Sequence, residues 1–109
     1  MTLITCASIG NHSIQRVDQH KALLISYTTL VTFTPTEYSV ICALLQTTQV
    51  VSDISLIKQI YPGQVDRSLS RTFEKHVENV KSKLRGSGIM IRRVYKCGYI
   101  LLSEDEDVN

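Results

Sequence analysis

Along the first third of the chain, short runs of Ile, Val, Leu, Thr and Tyr are interrupted by polar breaks at Gly10 to Ser13, Asp18 to Lys21 and Tyr27 to Thr29. Such a pattern predicts short antiparallel strands, with Ala22 to Ser26 and Leu30 to Phe33 forming a hairpin. The period then lengthens. Thr34-Pro35-Thr36-Glu37 is a helix start: Thr34 can accept from the third backbone N–H, Pro35 suits the first turn, and Glu37 can reach back to the cap. Tyr38, Ile41, Cys42 and Leu45, with Val40 and Leu44 alongside, then follow the i, i+3, i+4, i+7 spacing of a buried face. Cys42 reads there as inert packing.

Ser52 and Asp53 predict a second helix, Asp53 to Ile60, with Ile54, Ile57 and Ile60 (or Leu56) facing inward, and Pro62-Gly63 ending it. After a polar loop, Gly63 to Leu69, a third helix is expected over Ser70 to Arg85. Its apolar stripe is Phe73, Val77, Val80 and Leu84, and its opposite side carries Arg71, Lys75, Glu78, Asn79, Ser82 and Arg85. Gly86-Ser87-Gly88 stops this helix. Ile89 to Val94 and Tyr99 to Leu102, joined by Tyr95-Lys96-Cys97-Gly98, predict a β-hairpin. Ser103 to Asn109 reads as a frayed acidic tail. Strands, three helices and a hairpin form the order of a winged helix, an α+β class in which the third helix enters the DNA major groove.

Charge sharpens that picture. Between Arg67 and Lys96 stand nine Lys or Arg residues against Glu74 and Glu78, a local +7 on a chain of formal net charge +2. A surface of that kind suits a polyanion, with nucleic acid first in line. The 109 residues, 43% hydrophobic, suffice for one core, so a single domain is expected. It would span residues 1–103, with strands over 1–33, a three-helix core over 34–86 and a wing over 89–102, followed by the tail at 104–109.

The longest apolar run, Ala22 to Phe33, is too short and polar to cross a bilayer, and Met1 to Ser8 lacks the basic start of a secretory signal. The expected location is therefore the cytosol. Cys6, Cys42 and Cys97, and likewise His12, His20 and His76, are too scattered for a zinc framework or paired disulfides. No cofactor is implied. An enzyme is not expected either, since no Gly-rich phosphate loop and no convergent Ser/His/Asp or Cys/His set is present.

Three local words carry a family likeness: Phe33-Thr34-Pro35-Thr36-Glu37-Tyr38, Val80-Lys81-Ser82-Lys83-Leu84-Arg85, and Gly98-Tyr99. In that order and spacing the chain resembles the OmpR/PhoB-type winged-helix DNA-binding domain of bacterial response regulators, over nearly its whole length. The resemblance implies a four-stranded N-terminal sheet, three helices, a C-terminal wing, and transcription control as the activity. Those regulators normally carry a phosphorylated receiver domain ahead of this module. The present length leaves no room for one, so a stand-alone module is expected.

Residue roles carried over from the family place Arg71, Thr72, His76 and Lys81 on phosphates, where charge or a donor sets register without reading sequence. The alternative for Arg71 and Lys81 is ordinary solvated charge, and for His76 a partly packed structural histidine. The family's base-reading arginine falls at Asn79, whose amide suits the N6/N7 edge of adenine, and the preceding arginine is replaced by Glu78. Glu78 either reads cytosine N4 or pairs with Arg85 or Lys81 on the helix surface.

Lys75 and Ser82 are groove candidates by geometry alone. At the wing the family's arginine and glycine become Tyr95 and Lys96, so Lys96 or Arg93 can replace the minor-groove arginine, with Tyr95 on phosphate or sugar. Cys97 near these cations is a candidate exposed thiol. The leading expectation is a sequence-specific regulator of double-stranded DNA, with RNA polymerase as a candidate second partner and two copies on repeated half-sites as a candidate arrangement. The competing expectation is a protein-interaction module, an adaptor or anti-activator, that has lost sequence reading.

Overall fold

The computed structural model describes residues 4–63 and 68–104. Strands β1 (Ile4–Ile9), β2 (His12–Val17), β3 (Ala22–Ile25) and β4 (Thr29–Thr32) form an antiparallel sheet in that order, with a 3-10 turn at Asp18–His20 between β2 and β3. Each polar break in the sequence becomes a turn. The three-residue β3–β4 turn places Ser26 (φ 54°) and Tyr27 (φ 63°) in the left-handed region, which is costly for side chains other than glycine, and the Thr28 N–H donates to the Ile25 carbonyl at 3.2 Å. Strand β3 starts at the expected Ala22 and ends one residue early, and β4 lies one residue earlier than the sequence pattern placed it.

Helix α1 (Pro35–Leu45) begins with a complete capping box. The Glu37 N–H donates to Thr34 Oγ1 at 3.3 Å, and the Thr34 N–H donates to Glu37 Oε1 at 3.0 Å. Phe33 and Tyr38, flanking the cap, bring their rings to a 6.5 Å centroid separation, a hydrophobic staple that fixes the angle between β4 and α1. A second joint ties α1 to the sheet. Tyr38 Oη donates to Asp18 Oδ1, and Arg16 Nε donates to the same oxygen at 3.0 Å. These bonds from Tyr38 and Arg16 hold the Asp18 carboxyl below the usual carboxylate range. Cys42 is half-buried rather than a core residue, although it packs against the core.

Helix α2 (Asp53–Ile60) starts on Ser52, whose Oγ accepts from the Ser55 N–H at 3.1 Å. Its inward residue is Leu56, fully buried, with Ile57 and Ile60 half-buried. Ile54, expected to face inward, is instead 66% exposed. At about 100° per residue, Leu56, Ile57 and Ile60 share an arc of about 100°, and Ile54 falls outside it.

Helix α3 (Ser68–Leu84) begins two residues before its expected start and ends one before its expected end. The remainder of the expected polar loop, residues 64–67, lies outside the described residues, as does Arg67 of the basic stretch. Strands β5 (Ile89–Val94) and β6 (Gly98–Ser103) form the hairpin. Ser103 and Glu104 are part of it rather than a frayed tail: Ser103 is 2% exposed, and Glu104 exchanges two hydrogen bonds with Gly88, donating its N–H to the carbonyl and accepting the Gly88 N–H on Oε1. Residues 105–109 and the Cys6 side chain lie outside the described residues.

The core runs through all layers, from Ile14, Leu23 and Ile25 of the sheet through Ile41 and Leu44 to Phe73, Val80 and Ile91. One backbone contact fixes the hairpin against the helices. Tyr99 and Val51 exchange N–H···O bonds of 2.8 and 2.9 Å, drawing β6 onto the segment that enters α2. The approach is so close that a Cβ on Gly98 would lie 2.0 Å from the Val51 carbonyl oxygen, so only glycine fits there. Among the described residues no helix is long and apolar enough to cross a membrane.

Candidate nucleic-acid interface

The face that α3 offers to solvent is set by the face it buries. Phe73, Val77, Val80 and Leu84 are each 1% exposed or less, so the helix is seated along its whole length. On the opposite side Arg71, Lys75, Glu78, Asn79, Ser82 and Arg85 are all exposed. The amphipathic division expected from residue spacing is the one observed.

Between α3 and the β5–β6 hairpin runs an open groove lined by Arg71, Glu74, Lys75, Glu78, Lys81, Arg93 and Tyr99. It unites four of the sequence-predicted site residues, Arg71, Lys75, Lys81 and Arg93, on two consecutive elements, α3 and β5. Asn79 and Ser82 are exposed on α3 outside this groove. Thr72 is exposed and donates its hydroxyl back to the Ser68 carbonyl at 3.3 Å. His76 is half-buried on the helix flank, with no hydrogen-bond partner for Nδ1.

Tyr95 and Lys96 stand apart from the groove at the tip of the hairpin. Tyr95 is 80% exposed, and the Lys96 ammonium lies 5.3 Å from its ring centroid. Lys96 adopts φ 58°, a left-handed conformation that closes the turn, helped by the Cys97 N–H donating to the Val94 carbonyl at 2.9 Å. Cys97 is exposed beside them. Among the described residues no group of three or more His, Cys, Asp or Glu side chains is placed to hold a metal ion.

Lys81, Lys83 and Arg93 are engaged by acids. Lys81 lies 3.5 Å from Glu78, one of the two partners weighed for that glutamate. Lys83 Nζ donates to Glu37 Oε1 at the start of α1, where Glu37 is only 3% exposed. Burial pushes the Glu37 carboxyl up, but the bonds from Lys83 and from the Thr34 N–H outweigh it and hold it below the usual carboxylate range. Arg93 lies 3.5 Å from Asp53 at the start of α2.

The pairing of Glu37 and Asp53 with these cations, and of Tyr99 with Arg93, is what spacing did not single out. Arg93 Nη1 donates to Tyr99 Oη at 2.5 Å, and its Cζ sits 5.2 Å from the Tyr99 ring centroid. Burial raises the Tyr99 phenol, so the ring stays neutral under the guanidinium. Counting Glu37 and Asp53 with the basic stretch lowers its formal charge from +7 to +5. The surface remains cationic.

The family model described as "Transcriptional regulatory protein, C terminal" matches residues 28–101. No curated protein matches the chain. Among solved structures, the DNA-binding domain of the response regulator AdeR, crystallised with an intercistronic region, superposes with a TM-score of 0.66 at 26% identity, covering 83% of this chain and 94% of that one. The Klebsiella pneumoniae RstA DNA-binding domain in complex with the RstA box gives a TM-score of 0.65 at 14% identity, covering 94% and 98%. A member of a family of redox sensors in the streptococci, evolved from two-component response regulators, gives 0.66 at 16%, covering 94% of this chain and 43% of that one. The last two likenesses are of fold.

Proposed function

The chain belongs to the OmpR/PhoB-type C-terminal DNA-binding domains of transcriptional regulatory proteins, and from that premise we propose that it binds double-stranded DNA sequence-specifically to control transcription in the bacterial cytosol. The observation that carries the reading is the groove in which Arg71, Lys75 and Lys81 of α3 face Arg93 of β5. With α3 in the major groove, the strand between the two grooves passes over this cleft and the hairpin tip reaches the next minor groove or its backbone.

In this arrangement Arg71, Thr72, His76 and Lys81 hold phosphates, and Asn79 offers its amide to adenine. Glu78 accepts from cytosine N4 once Lys81 turns to the backbone. Lys75 and Ser82, on the outermost ridge, meet base edges. Lys96 and Tyr95 serve the wing contact. The protein needs no cofactor and performs no catalytic step. Two copies on repeated half-sites, with RNA polymerase as the protein that reads the bound complex, complete the proposal.

Selection of binding sites from a random duplex pool at physiological salt tests it. Enrichment of one motif, with half-sites about ten base pairs apart if two copies bind, is the expected result. The second reading, a protein-binding module, is favoured by Glu74 and Glu78 inside the groove and by the exposed Tyr95. Affinity no better for any pool member than for random DNA, together with a saturable protein partner, would establish it instead.

A further inference from the structure

Arg93 is held from two sides that differ in kind. Tyr99 provides a fixed, uncharged seat: it is 3% exposed, packs edge-on to Phe73 with ring centroids 5.9 Å apart, and is bonded through its backbone to Val51. Its hydroxyl and ring take Nη1 and one face of the guanidinium. The other nitrogen, Nη2, reaches Asp53 Oδ2 at only 3.5 Å, with the two side chains 48% and 37% exposed. That contact is long, wet and readily exchanged.

We infer that Asp53 is an affinity-setting residue, a latch that occupies the phosphate-seeking end of Arg93 until a DNA backbone displaces it. The inference rests on the DNA-binding reading of the groove and names a residue that acts through Arg93 rather than on bases. A phosphate offers the guanidinium a charge-assisted, two-pronged partner, so it can replace a carboxylate held by one long bond. The exchange gives up the Arg93–Asp53 contact, and that loss recurs on every duplex, whatever its sequence. Asp53 therefore weakens the sequence-independent part of binding, and only a site that also satisfies the base-reading residues of α3 overcomes it.

The test compares wild type, Asp53→Asn, Arg93→Ala and the double variant. Each is titrated with a selected duplex and with random duplex at several salt concentrations, and thermal unfolding is recorded in parallel. Ser52 remains the cap of α2 in Asp53→Asn, so that helix keeps its N-terminal hydrogen bond. Asp53→Asn is expected to raise random-duplex affinity about 3- to 10-fold at low salt and to steepen the log–log salt slope by up to about 0.9, the value for one added phosphate contact. In the Arg93→Ala background the same substitution is expected to change neither quantity.

Unchanged affinity and slope in Asp53→Asn would overturn the latch while leaving the DNA reading intact. An equal gain in the Arg93→Ala background would overturn it too, because Asp53 would then repel DNA without acting through Arg93. A merely structural role moves the unfolding temperature and not the slope, and that outcome also counts against the latch. If no variant, wild type included, binds duplex, the DNA reading falls and the latch with it.

Discussion

The Lys83–Glu37 and Arg93–Asp53 ion pairs join the basic stretch to acids from elsewhere in the fold, and they differ in almost every physical respect. Lys83 meets Glu37 where the carboxylate is 3% exposed and already belongs to a capping box. Arg93 meets Asp53 in the open, at 3.5 Å, on the lip of the α3–hairpin groove. In the first pair, loss of the cation strands a charge out of water, so the pair behaves as part of the fold. In the second, water screens both partners, so the arginine can leave for another anion. Burial of the acid, rather than the position of the base in the sequence, decides whether a lysine or arginine of this stretch is structural or available.

The contrast is sharpest when each pair is broken from one side. Lys83→Met keeps the bulk of the side chain and leaves the buried Glu37 carboxylate without its cation, and a loss of about 3 kcal/mol in unfolding free energy is expected from denaturant melts. Glu37→Gln leaves a lysine that can turn to solvent and keeps an acceptor for the Thr34 N–H, so a smaller loss of about 1–2 kcal/mol is expected. A pair whose two members were equally exposed would give equal losses.

The Glu37 pair also has a pH signature. The folded carboxyl lies below its usual value, so the stabilisation is complete above the unfolded pKa of about 4.3 and is lost as pH falls through the folded pKa. Wild type should therefore be more stable than Glu37→Gln near neutrality. The gap should close as melts are repeated from about pH 4 downward. A gap that persisted into strong acid would mean that packing, not charge, accounts for Glu37.

The Arg93 pair should answer in binding and hardly at all in stability. Arg93→Ala is expected to shift unfolding free energy by under about 1 kcal/mol. It should flatten the salt slope of duplex binding by about 0.9, measured by fluorescence anisotropy across a salt series. A large stability loss with an unchanged slope would place Arg93 on the structural side of the comparison, with Lys83.

Most of the architecture was legible because it depends on local spacing. The Thr34–Glu37 cap, the Phe73-Val77-Val80-Leu84 stripe and the turn dipeptides each fixed an element without outside help. The candidate site was legible only as a set of charges on one stretch. Which charges remain available depends on Glu37 and Asp53, 46 and 40 residues from their partners, and spacing carries no trace of that pairing. Ile54 shows the same limit in a hydrophobic residue: an eight-residue helix with four apolar choices leaves its inward face ambiguous until Leu56 meets the core. Ser103 and Glu104 looked like the start of a solvated tail because their partners, Ile89 and Gly88, lie across the hairpin.

The central claim, that one seated helix and one stapled hairpin meet duplex DNA together, is tested most directly by following backbone amide shifts while a selected duplex is titrated into labelled protein. The expected result is a continuous patch of perturbed amides over Arg71, Lys75, Asn79, Ser82, Arg93 and Lys96, with β2 from His12–Val17 unmoved. Perturbation centred on the sheet, or on α3 with the hairpin silent, would contradict it.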